Sequence, residues 1–97
     1  MAIYISLCNW TDQGVANVKD SPKRLADARK VWKSAGAKLK DFYLTMGEYD
    51  FVIVSEAPDD ETMARIALTA ASAGAVRTKT LRAFPEKDYN AIIGSLP

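Results

Sequence analysis

The sequence predicts an α+β fold of the ferredoxin-like type, in which two helices cover one face of a four-stranded antiparallel sheet. Four segments of its 97 residues carry alternating or unbroken apolar residues, as β-strands do. Two intervening segments carry apolar residues at helical spacing. Their order, βαββαβ, folds with right-handed crossovers into a sheet of strand order 4-1-3-2. A further helix is predicted at the C-terminal end.

The first strand is predicted over residues 2–10, where apolar residues alternate with period two. Alternation puts three aliphatic residues on one face: Ile3, Ile5 and Leu7. The other face carries Tyr4, Ser6, Cys8 and Trp10. We expect the aliphatic row to lie beneath the helices, which leaves the row with the aromatic residues on the open face of the sheet.

The first helix is predicted to follow a loop that starts at Thr11. Ser21 is the expected N-cap, and Pro22 suits the first helical position, where its missing N–H leaves no hydrogen bond unmade. Gly36 is the residue expected to end the helix. Helical spacing gives a buried stripe of Leu25, Ala28, Val31, Trp32 and Ala35.

The second and third strands are predicted to form a hairpin. Residues 37–46 form the second strand, whose lysines suit the edge of a sheet. A tight turn at Gly47 and Glu48 leads into the third strand at residues 49–57. The unbroken apolar run 51–54 predicts a central strand that is buried on both faces.

The second half of the chain supplies the remaining elements. Acidic residues in the segment 57–61 predict a helix start, because they favour the positive end of the helix dipole. Gly74 ends this helix, and residues 75–84 form the fourth strand. The apolar stripe of the helix is Met63, Ile66, Ala67, Ala70 and Ala71. The C-terminal helix opens at Pro85 and has an apolar side of Tyr89, Ile92, Ile93 and Leu96.

The composition excludes several kinds of active site. The sequence has no histidine, which removes Ser-His-Asp triads, Cys-His pairs and histidine-ligated metals within one chain. Cys8 is the single cysteine, so intrachain disulfides and cysteine clusters for metals are excluded too. We expect Cys8 to be a small buried hydrophobic residue, and we expect no metal or other cofactor.

The charge and the hydropathy bear on partners and location. A net charge of +1 argues against general nucleic-acid binding. The RNA-recognition motif shares the βαββαβ order, but the third strand here carries Asp50 and Glu56 and lacks the basic consensus of that motif. No apolar stretch approaches the roughly 18 residues of a membrane span, and the N-terminus lacks a basic segment before its apolar run. We predict a cytoplasmic protein without nucleic-acid or membrane partners.

An uncovered sheet face predicts self-association. The two helices cover one face of the sheet, and a large apolar patch on the other would be unusual for a monomer. We therefore expect at least a homodimer, in which two open sheets pair face to face into a shared barrel.

Five segments resemble the GYD-domain family in the same order along the chain. They are 9–14 (NWTDQG), 18–24 (VKDSPKR), 43–50 (YLTMGEYD), 56–61 (EAPDDE) and 76–84 (VRTKTLRAF). The family resembles the dimeric α/β-barrel group, and its members are small, mostly bacterial proteins of one domain. The resemblance thus implies a single α+β domain over residues 1–97 and a fold that agrees with the one derived above. It implies no particular reaction.

The motif Gly47-Glu-Tyr-Asp50 has two interpretations. In the first it is a hairpin turn, in which Gly47 has an unusual φ and the Asp50 carboxylate accepts hydrogen bonds from nearby backbone N–H groups. In the second Asp50 is a buried carboxylate that accepts a proton, and Tyr49 holds a small polar ligand.

Four further residues are candidates for ligand binding. Asn9 and Trp10 follow the first strand, either as a local cap and a core filler or as an orienting amide and an aromatic wall of a cavity. Tyr43 is placed with them as a ligand contact. Arg82 either protects the edge of the sheet or points into the cavity, where it pairs with Asp50 or binds a ligand carboxylate.

Three functions remain open from the sequence. The first is binding of a small organic molecule in the cavity of a dimeric barrel. The second is proton transfer without a cofactor, as in isomerases or monooxygenases of related folds, with Asp50 as the base and Tyr49 or Asn9 holding an oxyanion. The third is a structural role in oligomerisation with no ligand.

Overall fold

The computed structural model describes all residues 1–97 and confirms the ferredoxin-like fold. Its strands are β1 (Ala2–Trp10), β2 (Lys38–Leu44), β3 (Phe51–Ala57) and β4 (Val76–Ala83). Its helices are α1 (Asp12–Ala16), α2 (Ser21–Ser34), α3 (Asp60–Ser72) and α4 (Glu86–Gly94), and a 3₁₀ turn spans Val18–Asp20. No helix is both long and apolar enough to span a lipid bilayer.

The four strands form one antiparallel sheet of order β2-β3-β1-β4, which is the predicted order read from the other edge. β1 and β3 lie at the centre, where Ile5 pairs with Val54. β4 pairs with the other side of β1, with Ile5 opposite Leu81. β2 pairs with β3 through a bulge between Leu39 and Asp41. The two most apolar strands are therefore the central ones, as the sequence predicts.

The segment after β1 differs from its prediction as a loop. Thr11 caps the short helix α1, because its hydroxyl accepts a hydrogen bond from the Gly14 N–H at 3.1 Å. The same hydroxyl donates to the Gly74 carbonyl at 2.6 Å, and the Thr11 N–H donates to the Ala75 carbonyl at 3.0 Å. α1 is thereby fixed to the start of β4. Ser21 is the first residue of α2 rather than its N-cap, which is Asp20.

The expected assignment of the two faces of β1 is wrong. Tyr4, Ser6 and Cys8 are buried beneath α2 and α3, whereas the aliphatic row is only half-buried and lies on the open face. Both rows of β1 are largely apolar, so alternation separates them without showing which one faces the helices. The small Ser6 and Cys8 side chains leave space above the sheet, and large residues of the helices occupy it: Trp32, Met63 and Ile66.

The buried Ser55 hydroxyl on β3 shows how the core accommodates a polar group. The Trp32 indole of α2 donates a hydrogen bond to this hydroxyl at 2.8 Å, and both side chains are buried. Each polar atom therefore has a partner inside the core, which avoids the cost of about 1–3 kcal/mol for an unpaired buried group. No buried side-chain nitrogen or oxygen lacks a hydrogen-bond partner.

The centre of the open face is aliphatic, and the charged residues Asp41, Glu56 and Lys79 share the same face. Its half-buried or exposed apolar residues are Ile3, Ile5, Leu7, Val52, Val54 and Leu81. The prediction that β3 is buried on both faces is therefore correct only for its helix side, since Val52 and Val54 remain partly exposed. The last helix, α4, is exposed along its whole length.

Candidate functional site

An apolar cavity of about 370 Å³ lies between the sheet, α2 and α3. Its floor is the helix side of the sheet, which contributes Phe51 and Ile53 from β3 and Trp10 from β1. Side chains of α2 form one wall: Leu25, Ala28, Val31 and Trp32. Side chains of α3 form the other: Met63, Ala67 and Ala70. The small residues of α3 keep this space open, because a larger side chain there would fill it.

The polar groups inside the cavity are hydroxyls and one thiol. Ser6 and Thr80 lie on neighbouring strands with their hydroxyl oxygens 3.0 Å apart, and Thr78 lies beside them on β4. The Cys8 thiol donates to the Ser6 carbonyl at 3.6 Å, and burial raises the pKa of this thiol to about 12. A thiol with so high a pKa is protonated at neutral pH and is therefore no nucleophile.

Two charged residues also line the cavity. Arg24 and Asp27, both of α2, are the charged residues among the lining side chains. The Arg24 guanidinium donates to the carbonyls of Asn17 at 2.9 Å and Gly14 at 3.2 Å, which links α2 to the segment before it. Arg24 therefore holds the α1 region in place and borders the cavity with part of its surface.

Asp50 lies at one end of the sheet and serves as an anchor for the turn. Its carboxylate Oδ2 accepts a hydrogen bond from the Trp10 N–H at 2.9 Å. Its own N–H donates to the Asn9 side-chain oxygen at 3.1 Å and to the Cys8 carbonyl at 2.9 Å, and its carbonyl accepts from the Thr45 N–H at 2.9 Å. Asp50 does not line the cavity. This geometry favours the first interpretation of the Gly47–Asp50 motif, and Gly47 has the expected positive φ of 99°.

The structure brings four of the sequence-predicted site residues together: Asn9, Trp10, Tyr49 and Asp50. Of these only Trp10 lines the cavity, where its ring packs against Phe51 with the centroids 5.4 Å apart. The Lys79 ammonium lies 5.7 Å from the centre of the Tyr49 ring. These four residues therefore lie together at the end of the sheet, and Trp10 is the one among them that contacts the cavity.

Arg82 and Tyr43 lie away from this group. Arg82 is near the far end of β4, opposite Tyr4, and its Nε lies 3.8 Å from an Asp60 carboxylate oxygen, so the pair with Asp50 that the sequence suggested does not form. The Arg82 guanidinium also lies over the rings of Tyr4 and Phe84, at 5.7 and 4.7 Å. Neither Arg82 nor Tyr43 lines the cavity, and Tyr43 is exposed on the edge strand β2.

A buried tyrosine at the far end of the sheet was missed by the sequence analysis. The Tyr4 hydroxyl donates a hydrogen bond to Asp60, the first residue of α3. Burial raises the pKa of Tyr4, and the Asp60 hydrogen bond and charge raise it further, while Arg82 lowers it. Tyr4 is therefore a neutral donor that ties α3 to the sheet. Its sequence signal was ambiguous, because an aromatic residue in an alternating strand suits either face.

Replacing Asp50 with alanine is expected to lower the free energy of unfolding by about 1–2 kcal/mol, because the Trp10 N–H loses its acceptor. Urea unfolding followed by tryptophan fluorescence measures the change. Asp50→Asn is the matched control, since its amide oxygen can still accept the bond and should recover most of the stability. An Asp50→Ala variant as stable as the parent would contradict the role of a turn anchor.

The geometry permits binding more readily than proton transfer. The residues around the cavity supply an apolar surface and a few hydroxyls, and the candidate base lies elsewhere. No group of three histidine, cysteine, aspartate or glutamate side chains is placed to hold a metal ion. The sequence does not mark the small residues that line the cavity as site residues, because small residues on strands and helices also occur in ordinary cores. These residues are Ser6, Thr78, Thr80 and, on α3, Ala67 and Ala70.

Solved structures resemble the fold at low sequence identity. MtbAldR superposes with a TM-score of 0.67 and 14% identity over 87% of this chain, and the chain spans about half of that protein, 52%. TTHA0845 from Thermus thermophilus superposes with a TM-score of 0.57 and 21% identity, over 88% of this chain and 95% of that one. These likenesses support the fold alone.

Sequence comparison identifies the family. A protein of Thermus thermophilus described as "Glutamine synthetase and cystathionine beta-lyase binding protein" is 37% identical over 92 residues, which cover 94% of this chain and 97% of that protein. The profile of the GYD domain matches residues 4–93. The resemblance found in the five sequence segments is thus confirmed over nearly the whole chain. The chain belongs to the GYD domain family.

Proposed function

We propose that the protein is a homodimeric, non-enzymatic binding protein that takes a small, largely apolar molecule in the cavity between its sheet and its helices. The cavity itself is the observation that carries this proposal. Its volume of about 370 Å³ falls within the range of roughly 300–1,000 Å³ that is typical of small-molecule sites. Its apolar walls and few polar groups are also typical of such sites.

The polar atoms of the cavity favour an uncharged ligand. Inside the cavity the hydroxyls of Ser6, Thr78 and Thr80 can hydrogen-bond a ligand, and Ser6 and Thr80 already share one bond with each other. A charged group placed among them would lose its hydration, which is costly, and the lining holds one residue of each charge, Arg24 and Asp27, so it favours neither sign. The expected ligand is therefore an aromatic or aliphatic molecule with one or two neutral polar groups.

The placement of Asp50 argues against the enzymatic alternative. A general base must reach the proton that it abstracts, within about 2.6–3.2 Å or through one water. Asp50 lies outside the cavity and its carboxylate is engaged by the Trp10 N–H. The thiol of Cys8 is protonated and buried. Neither Asp50 nor Cys8 is thus suited to move a proton inside the cavity at neutral pH.

The open face supports the homodimer. Six aliphatic side chains of the three strands β1, β3 and β4 share that face, and a second copy would cover them with an equivalent surface. We also propose a cytoplasmic location, as the sequence predicts.

A second candidate function is binding of other enzymes. The relative that is 37% identical is described as binding glutamine synthetase and cystathionine beta-lyase, and it aligns over 94% of this chain. Biolayer interferometry against these two enzymes, purified from the same source as this chain, tests the idea directly. Saturable binding at micromolar concentration would support it, and no response from either enzyme would count against it.

Filling the cavity is expected to abolish ligand binding. Ala70 lines the cavity and Ala71 does not, although they are neighbours on α3. The neutral fluorophore 1-aminoanthracene should bind the parent protein with one site per chain, and Ala70→Phe should weaken it at least about tenfold, since a phenyl ring takes the space. Ala71→Phe, at an exposed position, should bind the probe as the parent does. Equal titrations of the parent and Ala70→Phe would refute the assignment of the cavity.

Native mass spectrometry of protein purified from its own source would complement the fluorescence assay. A retained small molecule that is present in the parent and absent in Ala70→Phe would support the proposed site. A molecule retained equally by both variants would show that it binds elsewhere.

A further inference from the structure

The C-terminal helix α4 has an apolar side without a partner. Its residues Tyr89, Ile92 and Ile93, and Leu96 just beyond its end, recur at helical spacing and are 45–61% exposed. A helix of 9 residues is unstable in water on its own, because most helix stability comes from packing of an amphipathic side. α4 therefore needs a surface to pack against, and its own domain does not supply one.

A second group of exposed apolar residues lies at the end of β2, on both faces of the sheet, and in the turn after it. We name Tyr43, Leu44 and Met46 the β2 corner; they are 58%, 70% and 96% exposed. The two patches occupy opposite edges of the sheet, since β2 and β4 are its outer strands.

The two patches also lie at opposite ends of the strands. β4 ends at Ala83, just before α4, and Ala83 pairs with Ile3 near the beginning of β1. The β2 corner lies where Leu44 pairs with Phe51, the beginning of β3, and Phe51 pairs with Cys8 near the end of β1. α4 and the β2 corner therefore stand at diagonally opposite corners of one sheet.

The dimensions of the chain indicate that a second copy covers these patches. The accessible surface is 6652 Å², whereas a compact monomer of 10.6 kDa exposes roughly 5,500 Å². The excess is on the order of 1,000 Å², which exceeds the about 800 Å² that each partner buries in a standard interface. The radius of gyration, 14.6 Å, likewise exceeds the roughly 12.5 Å of a compact domain of this length.

We propose that α4 packs against the β2 corner of a second copy of this chain, and that the second α4 makes the same contact in return. This inference rests on the homodimer proposed above. Two sheets that pack face to face are either nearly aligned or nearly orthogonal. If the two-fold axis runs along the diagonal that joins the other two corners, the strands of the two sheets cross at about 90°, and the corners with α4 and the β2 corner are exchanged between the copies. The orthogonal arrangement thus places each α4 over the partner's β2 corner.

Disulfide trapping between two different single variants tests the contact. Ile93→Cys and Met46→Cys proteins are mixed and oxidised with copper phenanthroline, so that a cross-link at this contact joins one chain of each kind. Cys8 is buried and does not interfere. Mixing Ile93→Cys with Ala64→Cys, on the exposed side of α3, is the matched control. We expect at least a tenfold faster cross-link in the first mixture.

Charge variants of α4 give an independent readout. Ile92→Asp places a charge on the apolar side of the helix and should raise the dimer dissociation constant at least tenfold in sedimentation velocity. Ala91→Asp places the same charge on the opposite side of α4 and should leave the dissociation constant unchanged. Neither side of α4 is buried within its own chain, so both variants should fold.

The outcomes separate this inference from the homodimer on which it rests. A parent protein that is monomeric at 100 µM would overturn both. A dimer whose Ile93→Cys and Met46→Cys chains cross-link no faster than the control, and whose affinity is unaffected by Ile92→Asp, would overturn the α4 contact alone. Selective cross-linking together with a weakened Ile92→Asp dimer would confirm it.

Discussion

Replacing Gly14 with alanine is expected to lower the free energy of unfolding by about 3 kcal/mol, within the upper part of the range for overpacking. A Cβ at this position would lie 2.0 Å from the Ala75 carbonyl oxygen and 2.9 Å from its carbonyl carbon. Both atoms belong to the backbone at the start of β4, so no side-chain rotation relieves the clash. α1 would have to move away from the sheet.

The expected loss of unfolding free energy includes the weakening of the hydrogen bonds that hold α1 in place. A shift of α1 strains the Thr11 hydrogen bonds to the carbonyls of Gly74, at 2.6 Å, and Ala75, at 3.0 Å. It also displaces the Gly14 carbonyl, which accepts from Arg24 at 3.2 Å. Because Arg24 borders the cavity, we expect weaker 1-aminoanthracene binding as well.

Urea unfolding of Gly14→Ala, compared with Gly94→Ala, measures the effect. Gly94 is the last residue of α4, and a Cβ there would meet nothing within 4 Å. Alanine at position 94 should be neutral or stabilising by up to about 1 kcal/mol, because it favours the helix. A Gly14→Ala protein with the unfolding midpoint of the parent would show that α1 is not fixed against β4.

The fold could be predicted because its signals are local. Period-two alternation, an unbroken apolar run and helical stripes determine the order of elements, and the order determines the strand arrangement. α1 was missed because its five residues, Asp12–Ala16, are too few for a stripe. It exists because Thr11 and Gly14 meet Gly74 and Ala75, which lie in a distant part of the chain.

The candidate site could be predicted only in part, for a different physical reason. A turn role for Asp50, three residues after Gly47, is one of two interpretations of the local motif, and the hydrogen bond from the Trp10 N–H favours it. Which row of β1 side chains faces the helices depends on the room that the row leaves for Trp32 and Met63. Packing between distant segments of the chain decides this. The cavity has no local signal at all, since small residues such as Ser6 and Ala70 line it.

Replacing Ile5 with lysine is expected to convert the proposed homodimer into a monomer. Ile5 lies at the centre of the open face, between Val54 of β3 and Leu81 of β4. In the proposed dimer, each lysine would be buried in the aliphatic centre of the open face, at a cost of about 3–5 kcal/mol. The dissociation constant should therefore rise at least about 100-fold.

Light scattering coupled to size exclusion at 10 µM measures the change. The parent should elute with twice the chain mass of 10.6 kDa, and Ile5→Lys should elute with that mass itself. Leu68→Lys is the matched control: it adds the same charge at an exposed site on α3, on the far side of the domain, and should remain dimeric. A parent that is monomeric, or an Ile5→Lys protein that is dimeric, would refute the role of the open face.

The Ile5→Lys monomer also tests whether ligand binding in the cavity is independent of the dimer contact on the open face. In the monomer the lysine ammonium can reach water, so the domain should keep its far-UV circular dichroism. The lining residues that this chain contributes lie between the sheet and its helices, on the side away from Ile5. The monomer should therefore bind 1-aminoanthracene with an affinity within about threefold of the parent, as the site is not built from the interface. A loss of probe binding that follows the loss of the dimer would mean that the second copy completes the cavity.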